Sequence, residues 1–279
     1  VVITKELKYE QDENGSEKKH LIHFSWSISD LLNDHFSDEV DADFLYRLAC
    51  VYFAVANYKQ ALTYLFWAIR IYKHTNCSEL KMSTVYNQIG LTYQEMKQYQ
   101  YSITQYNVCK RIIFSHPEGI SYKAALLNNI GLSLMHLNNP KAITILEEAY
   151  KCSTELYGQE HSESIKIYFN YGNCLRTYGY FKKAYVIYMY VCDVEKKKFP
   201  NSLRLATSYN CMGDLLYECG DYENAKYYLK CAKKIRVEKL GEEHPQTCDV
   251  INTLALIDLD NGDTCDARKK FETILKHNI

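Results

Sequence analysis

The side chains in this sequence best placed to do chemistry are amides. Asn87, Asn128, Asn210 and Asn252 each stand three residues before a glycine or alanine, and Asn129 and Asn170 hold the adjacent place in two segments of the same kind. An amide has two N–H donors and a carbonyl acceptor. It can therefore pair with the backbone of an extended peptide without fixing the peptide's sequence. Asparagine is also a mediocre helix former, so its recurrence inside helical segments asks for a reason. Two reasons stay open: the amides bind a ligand, or they bond to neighbouring segments and hold them together. One turn farther along the same face lie Leu91, Leu132, Asn173, Asp214 and Leu256, and one turn beyond those lie Gln94, Met135, Arg176 and Tyr217. Arg176 and Tyr217 suit the role of anchors.

Other candidates carry less. His20 and His23 have a metal-ligand spacing, but on a strand they fall on opposite faces. His161 and His244 recur at equivalent loop positions, which marks connectors rather than catalytic bases. No glycine-rich phosphate loop and no nucleophile elbow occurs. The run Lys196-Lys197-Lys198 ends a helical segment before Pro200, where cations favour the helix dipole. Eleven scattered cysteines without a CxxC read as free thiols in a reducing, cytoplasmic compartment. The expectation is a non-enzyme with no catalytic residue, no metal and no cofactor.

The elements that must position the amides form a repeat. The pairs Leu48-Ala49, Ile89-Gly90, Ile130-Gly131, Tyr171-Gly172, Met212-Gly213 and Leu254-Ala255 follow one another at intervals of 41, 41, 41, 41 and 42 residues. A large residue comes three places later in five units, with Asp258 in the sixth as the departure. A turn position follows at Ala56, Lys97, Asn138, Gly179, Gly220 and Gly262. A small residue then opens a second helix at Ala61, Ser102, Ala142, Ala184, Ala225 and Ala267. Spacings of three, four and seven place these on one helical stripe. The glycines and alanines let the two helices of each unit approach closely, with Leu65, Tyr106, Leu146, Tyr188, Leu229 and Phe271 filling the space around the crossing.

This pattern resembles the tetratricopeptide repeat, over residues 42–279. The usual period is ~34 residues; the surplus of about two helical turns and the connections Leu156 to Ser162 and Lys239 to Pro245 are similar to those of kinesin-light-chain-type repeats. Long repeats of this kind also resemble the peptide-pheromone receptors of the Rap type. The resemblance implies an all-α, right-handed solenoid of six helix pairs whose first helices line a concave, peptide-binding surface.

Residues 1–41 read as a separate segment. Ile3, Leu7 and Tyr9, and then Ile22, Phe24, Trp26 and Ile28, alternate with polar residues around a polar stretch from Glu10 to Lys19. That pattern predicts two strands in a hairpin, with a short helix over Ser29 to Phe36. Val1 is not an initiator methionine, which suggests a piece of a longer chain. The order of hairpin and repeats resembles the end of an ADP-ribosyltransferase domain fused to such repeats, and also suits a nucleotide-binding sensor; either would make the repeats a ligand-switched regulatory region.

The formal net charge of −1 argues against nucleic acid or membrane as a general partner. A protein or peptide in the concave groove is expected instead. The apolar last unit, with Leu254, Leu256, Ile257 and Leu259, also suggests self-association through the terminal repeats.

Overall fold

The computed structural model describes residues 9–11, 17–19, 39–116 and 119–276. Two short strands, β1 (Tyr9–Gln11) and β2 (Glu17–Lys19), pair antiparallel with Tyr9 opposite Lys19. Both strands flank the polar stretch around Asn14-Gly15. Ile3, Leu7, the run from Ile22 to Ile28, the helix expected over Ser29 to Phe36, and both His20 and His23 lie outside the described residues.

Among the described residues twelve helices follow in six antiparallel pairs. They are α1 (Glu39–Ala54) with α2 (Tyr58–His74), α3 (Glu79–Glu95) with α4 (Tyr99–Ser115), and α5 (Ile120–His136) with α6 (Lys141–Tyr157). Then come α7 (Ser162–Thr177) with α8 (Phe181–Lys198), α9 (Leu203–Glu218) with α10 (Tyr222–Leu240), and α11 (Pro245–Asp260) with α12 (Thr264–Lys276). Most helices pack most closely on their pair partner; α7 is the exception and packs more extensively on α6 than on α8. First helices also touch the first helices of adjacent units, which second helices do not do to that extent. The first helices therefore form the inner, concave side of the stack.

Packing inside a pair follows from residue size. A Cβ added to Gly90 would lie 2.3 Å from the Tyr106 ring, one at Gly131 2.5 Å from Leu146, and one at Gly213 2.6 Å from Leu229. Gly172 meets Ile187 and Tyr188 in the same way, at 2.9 and 3.0 Å. The side chains facing these glycines, Tyr106, Leu146, Tyr188 and Leu229, are wholly buried. Ala61, Ser102, Ala142, Ala184, Ala225 and Ala267 are wholly buried too. In unit two Ser102 Oγ lies 3.2 Å from Ser133 Oγ of unit three, so the polar side chain at that crossing is satisfied.

The six turn positions all have positive φ: Ala56, Lys97, Asn138, Gly179, Gly220 and Gly262. Each closes its first helix with the same pair of backbone bonds, for example Asn57 N to Tyr52 O at 2.9 Å and Ala56 N to Phe53 O at 3.0 Å. This is the Schellman arrangement, in which a left-handed residue lets the chain reverse while the last carbonyls stay satisfied. Three of the five connections between units cap the next helix with a side chain, at His161, Ser202 and His244. His161 Nδ1 accepts from Glu163 N, and His244 Nδ1 accepts from Gln246 N, each at 3.2 Å. Both histidines are therefore N-caps, as connectors should be.

Asp258, the departure in the sixth unit, has a physical reason. It is 5% exposed and sits between Lys226 Nζ at 2.8 Å and Lys270 Nζ at 2.5 Å. Burial alone would raise its carboxyl pKa; the bonds from the two lysines outweigh that and hold it below the usual carboxylate value. All eleven cysteines are free thiols. No described helix is long and apolar enough to cross a membrane.

Candidate functional site

The amide-bearing face lies on the first helices, and most of its polar groups are engaged across unit boundaries. Asn129 Nδ2 donates to Asn87 Oδ1 at 3.4 Å, Asn128 Nδ2 donates to Asn129 Oδ1 at 3.5 Å, and Asn170 Nδ2 donates to Asn128 Oδ1 at 2.8 Å. These bonds join α3, α5 and α7 into one line. Asn128 is buried, at 6% exposed, while Asn87, Asn129 and Asn170 are half-buried.

Toward the C-terminus the same face changes from amides to charges. Arg176 makes a bidentate contact to Glu218, with Nε at 3.0 Å and Nη2 at 2.7 Å, and its Nη1 lies 3.9 Å from Asp214. Asp214 accepts from Asn210 Nδ2 at 2.9 Å and from Thr253 Oγ1 at 3.4 Å. Tyr217 donates to Asp260 Oδ2 at 2.9 Å. Burial pushes the Asp214 carboxyl above its usual range, because Arg176 and the Thr253 hydroxyl offset only part of the lost hydration. The Arg176 guanidinium stays charged: burial works against it, but Glu218 and Asp214 more than compensate.

Side chains from the second helices reach into this face from below. Tyr188 donates to Asn173 Oδ1 at 2.7 Å, and Tyr106 donates to Gln94 Oε1 at 3.0 Å. Thus the tyrosines opposite Gly172 and Gly90 pack their rings against glycine and spend their hydroxyls on first-helix amides. This is the use expected of a residue with an apolar body and a polar tip.

The candidate residues therefore divide. Asn87, Asn128, Asn129 and Asn170 come together, as do Arg176, Asn210 and Asp214. Asn173 and Tyr217 are each tied to a different partner, and Asn252 is exposed without a side-chain bond among the described residues. Glu218 and Thr253 belong to the network of Arg176 and Asp214, Asp260 pairs with Tyr217, and none of the three was singled out from the sequence. Their signal is spacing: Glu218 stands 42 residues after Arg176, and Asp260 stands 43 after Tyr217. Polar partners about one repeat apart face each other between units.

Some hydrogen-bonding capacity on this face is unused. Asn170 Oδ1 and Asn173 Nδ2 have no partner among the described residues, and Asn210 Oδ1 is buried without one. A separate cleft of about 270 Å³ lies between α7, α8 and α9, lined by His161, Glu195, Lys198 and Arg204 among others. Its charged groups are already paired. Glu195 accepts from Ser208 Oγ at 2.7 Å and Arg204 Nε at 3.2 Å, and Lys198 lies 3.0 Å from Glu160.

Residues 204–277, which take in the last two units, match the family model described as tetratricopeptide repeat. Those units are similar to the tetratricopeptide repeat, and the described helices stack as one α-solenoid. Among solved structures, this solenoid is similar to a kinesin light chain with nearly identical tetratricopeptide-like repeats from Podosopora anserina, at 16% identity and a TM-score of 0.59, covering 72% of this chain and 95% of that one. It is also similar to the apo form of RapI, at 12% identity and a TM-score of 0.66, covering 85% and 97%. The apo form of the quorum sensor NprR from B. thuringiensis matches at 16% identity and a TM-score of 0.68, covering 87% of this chain and 66% of that one. At such identities the likeness is one of fold. No curated protein matches the sequence. The 41-residue spacing of Gly90, Gly131, Gly172 and Gly213 makes these long units.

Proposed function

We propose that this solenoid is a non-catalytic recognition module that binds an extended peptide segment of a partner along the face formed by α3, α5, α7, α9 and α11. The observation that carries this reading is the half-used set of amides on that face. Asn170 and Asn173 are each held by one bond, to Asn128 and Tyr188, and each has an opposite group left over. An amide held in place by the protein has lost its rotamer freedom before the ligand arrives, so a ligand bond costs less ordering entropy. One leftover acceptor and one leftover donor, three residues apart on α7, suit the alternating N–H and C=O groups of an extended chain. Leu91, Leu132 and Met135 are half-buried on the same helices and offer apolar contact beside them. Regulation of an attached effector by such binding is the natural use of the module.

The test is selection of binders from a random peptide library displayed on phage, followed by calorimetry on the best synthetic peptide. Asn173→Ala should weaken that peptide about tenfold while the melting temperature falls by only a few degrees. A selected peptide that is indifferent to Asn173→Ala, Asn170→Ala and Arg176→Ala alike would remove the concave face as its site.

A further inference from the structure

The convex side of units four and five carries a feature that the repeat does not require. Two places after the small residue that opens each second helix, units one to three have Thr63, Thr104 and Thr144, and unit six has Lys269. Each threonine hydroxyl bonds back to its own helix, as surface threonines in helices do. Units four and five have Val186 and Tyr227 there instead, and these are 63% and 60% exposed. The two helices meet between them, because Tyr228 Oη donates to Met189 Sδ at 3.4 Å and the Tyr227 and Tyr228 rings lie 5.2 Å apart. An apolar strip therefore crosses from α8 to α10 on the outside of the molecule, far from the amide face.

Cations border the strip. Lys182 is one turn before Val186, and Lys230 and Lys234 are one and two turns after Tyr227. All three are exposed and none has an ion-pair partner among the described residues. Asp193 and Glu223 stand in the same strip, also exposed. A uniform polyanion, such as an RNA strand or an anionic bilayer, would meet these two carboxylates with repulsion. A short peptide can place its charges to avoid them.

We infer that the α8–α10 convex strip is a second docking site, for an acidic segment of a protein partner that sets an aliphatic or aromatic anchor between Val186 and Tyr227 and its carboxylates on Lys182, Lys230 and Lys234. The site is independent of the concave face, so each can fail alone.

The experiment is fluorescence anisotropy with a fluorescein-labelled twelve-residue peptide of alternating glutamate and leucine. The comparison probes are a fifteen-nucleotide single-stranded RNA and phosphatidylserine vesicles. The peptide should bind, and added salt should weaken it. Lys230→Glu with Lys234→Glu should weaken it about tenfold or more. Val186→Thr with Tyr227→Thr, which installs the residue that units one to three already carry, should weaken it about fivefold with an unchanged melting temperature. Asn173→Ala should have no effect. The inference is overturned if the peptide does not bind, if the RNA or the vesicles bind more tightly than it does, if both double variants bind it as the parent does, or if Asn173→Ala is the change that weakens it.

Discussion

At the glycines of the first helices the packing leaves no room for a methyl group. A Cβ at Gly131 would sit 2.5 Å from Leu146 Cγ, and Leu146 is wholly buried with nowhere to move. Alanine gains about 1 kcal/mol over glycine in a helix interior, but forcing an extra methyl into a full core costs about 1–3 kcal/mol. The steric cost is the larger, so Gly131→Ala should lower the stability measured by urea unfolding by about 1 kcal/mol. The reverse holds at Lys97. Its φ of 59° places an L side chain in the left-handed region, where units four to six have glycine. That conformation costs about 1–2 kcal/mol, and the extra freedom glycine gives the unfolded chain takes back about 0.4–1 kcal/mol. Lys97→Gly should therefore raise the melting temperature, by a stability gain of about 0.5 kcal/mol. Asp258 contributes through protonation. Its folded pKa is held below the ordinary carboxylate value, so its contribution is present above that value and is lost as pH falls through the folded pKa. The melting temperature of the parent minus that of Asp258→Asn should be positive at pH 7 and shrink below pH 3.8. A difference that stays constant down to pH 2 would mean that the carboxylate between Lys226 and Lys270 titrates alike in the folded and unfolded chains.

At the scale of the element, each helix end has its own device. His161 caps α7 through Nδ1, and the connection before it turns at Gly158, whose φ is 89°. Replacing a capping side chain by alanine costs about 0.5–2 kcal/mol. His161→Ala should therefore destabilise by about 1 kcal/mol in thermal unfolding. His161→Ser, which restores an acceptor at the same place, should be neutral or better; equal losses in both variants would show that the ring packing on Tyr157 matters more than the cap. Such devices were legible in the sequence because they depend on residue type at a fixed offset. The column of Ala56, Lys97, Asn138, Gly179, Gly220 and Gly262 marked six turns, and all six have positive φ. The glycine column marked the close crossings for the same reason. What was not legible is partner choice. Nothing local says that Asn128 pairs with Asn170 and Asn129 with Asn87, since that depends on rotamers and on the angle between units.

At the scale of the molecule, the stability of a solenoid is a sum of unit terms and nearest-neighbour terms. The inter-unit polar line is therefore a coupling device as well as a candidate ligand surface. Asn128 is its most exacting member, because it is buried and bonds both to Asn129 and, across the unit boundary, to Asn170. Asn128→Ala leaves two neighbouring amides short of a bond in a half-buried setting, at a cost of about 1–3 kcal/mol. That cost falls on the interface between units three and four, not on either unit alone. The two halves of the solenoid should then unfold less cooperatively. The tryptophans, Trp26 and Trp67, both lie in the first quarter of the chain, so their fluorescence follows the N-terminal half, whereas far-UV circular dichroism follows all twelve helices. In the parent the two signals should report one denaturant midpoint. In Asn128→Ala the midpoints should separate, with the fluorescence and circular dichroism transitions no longer superimposing. Asn173→Ala, whose bond to Tyr188 stays within unit four, should lower stability without separating them. If Asn128→Ala keeps a single coincident transition, the coupling runs through the apolar contacts between helices, and the amides of α3, α5 and α7 are left with ligand binding as the reason for their recurrence.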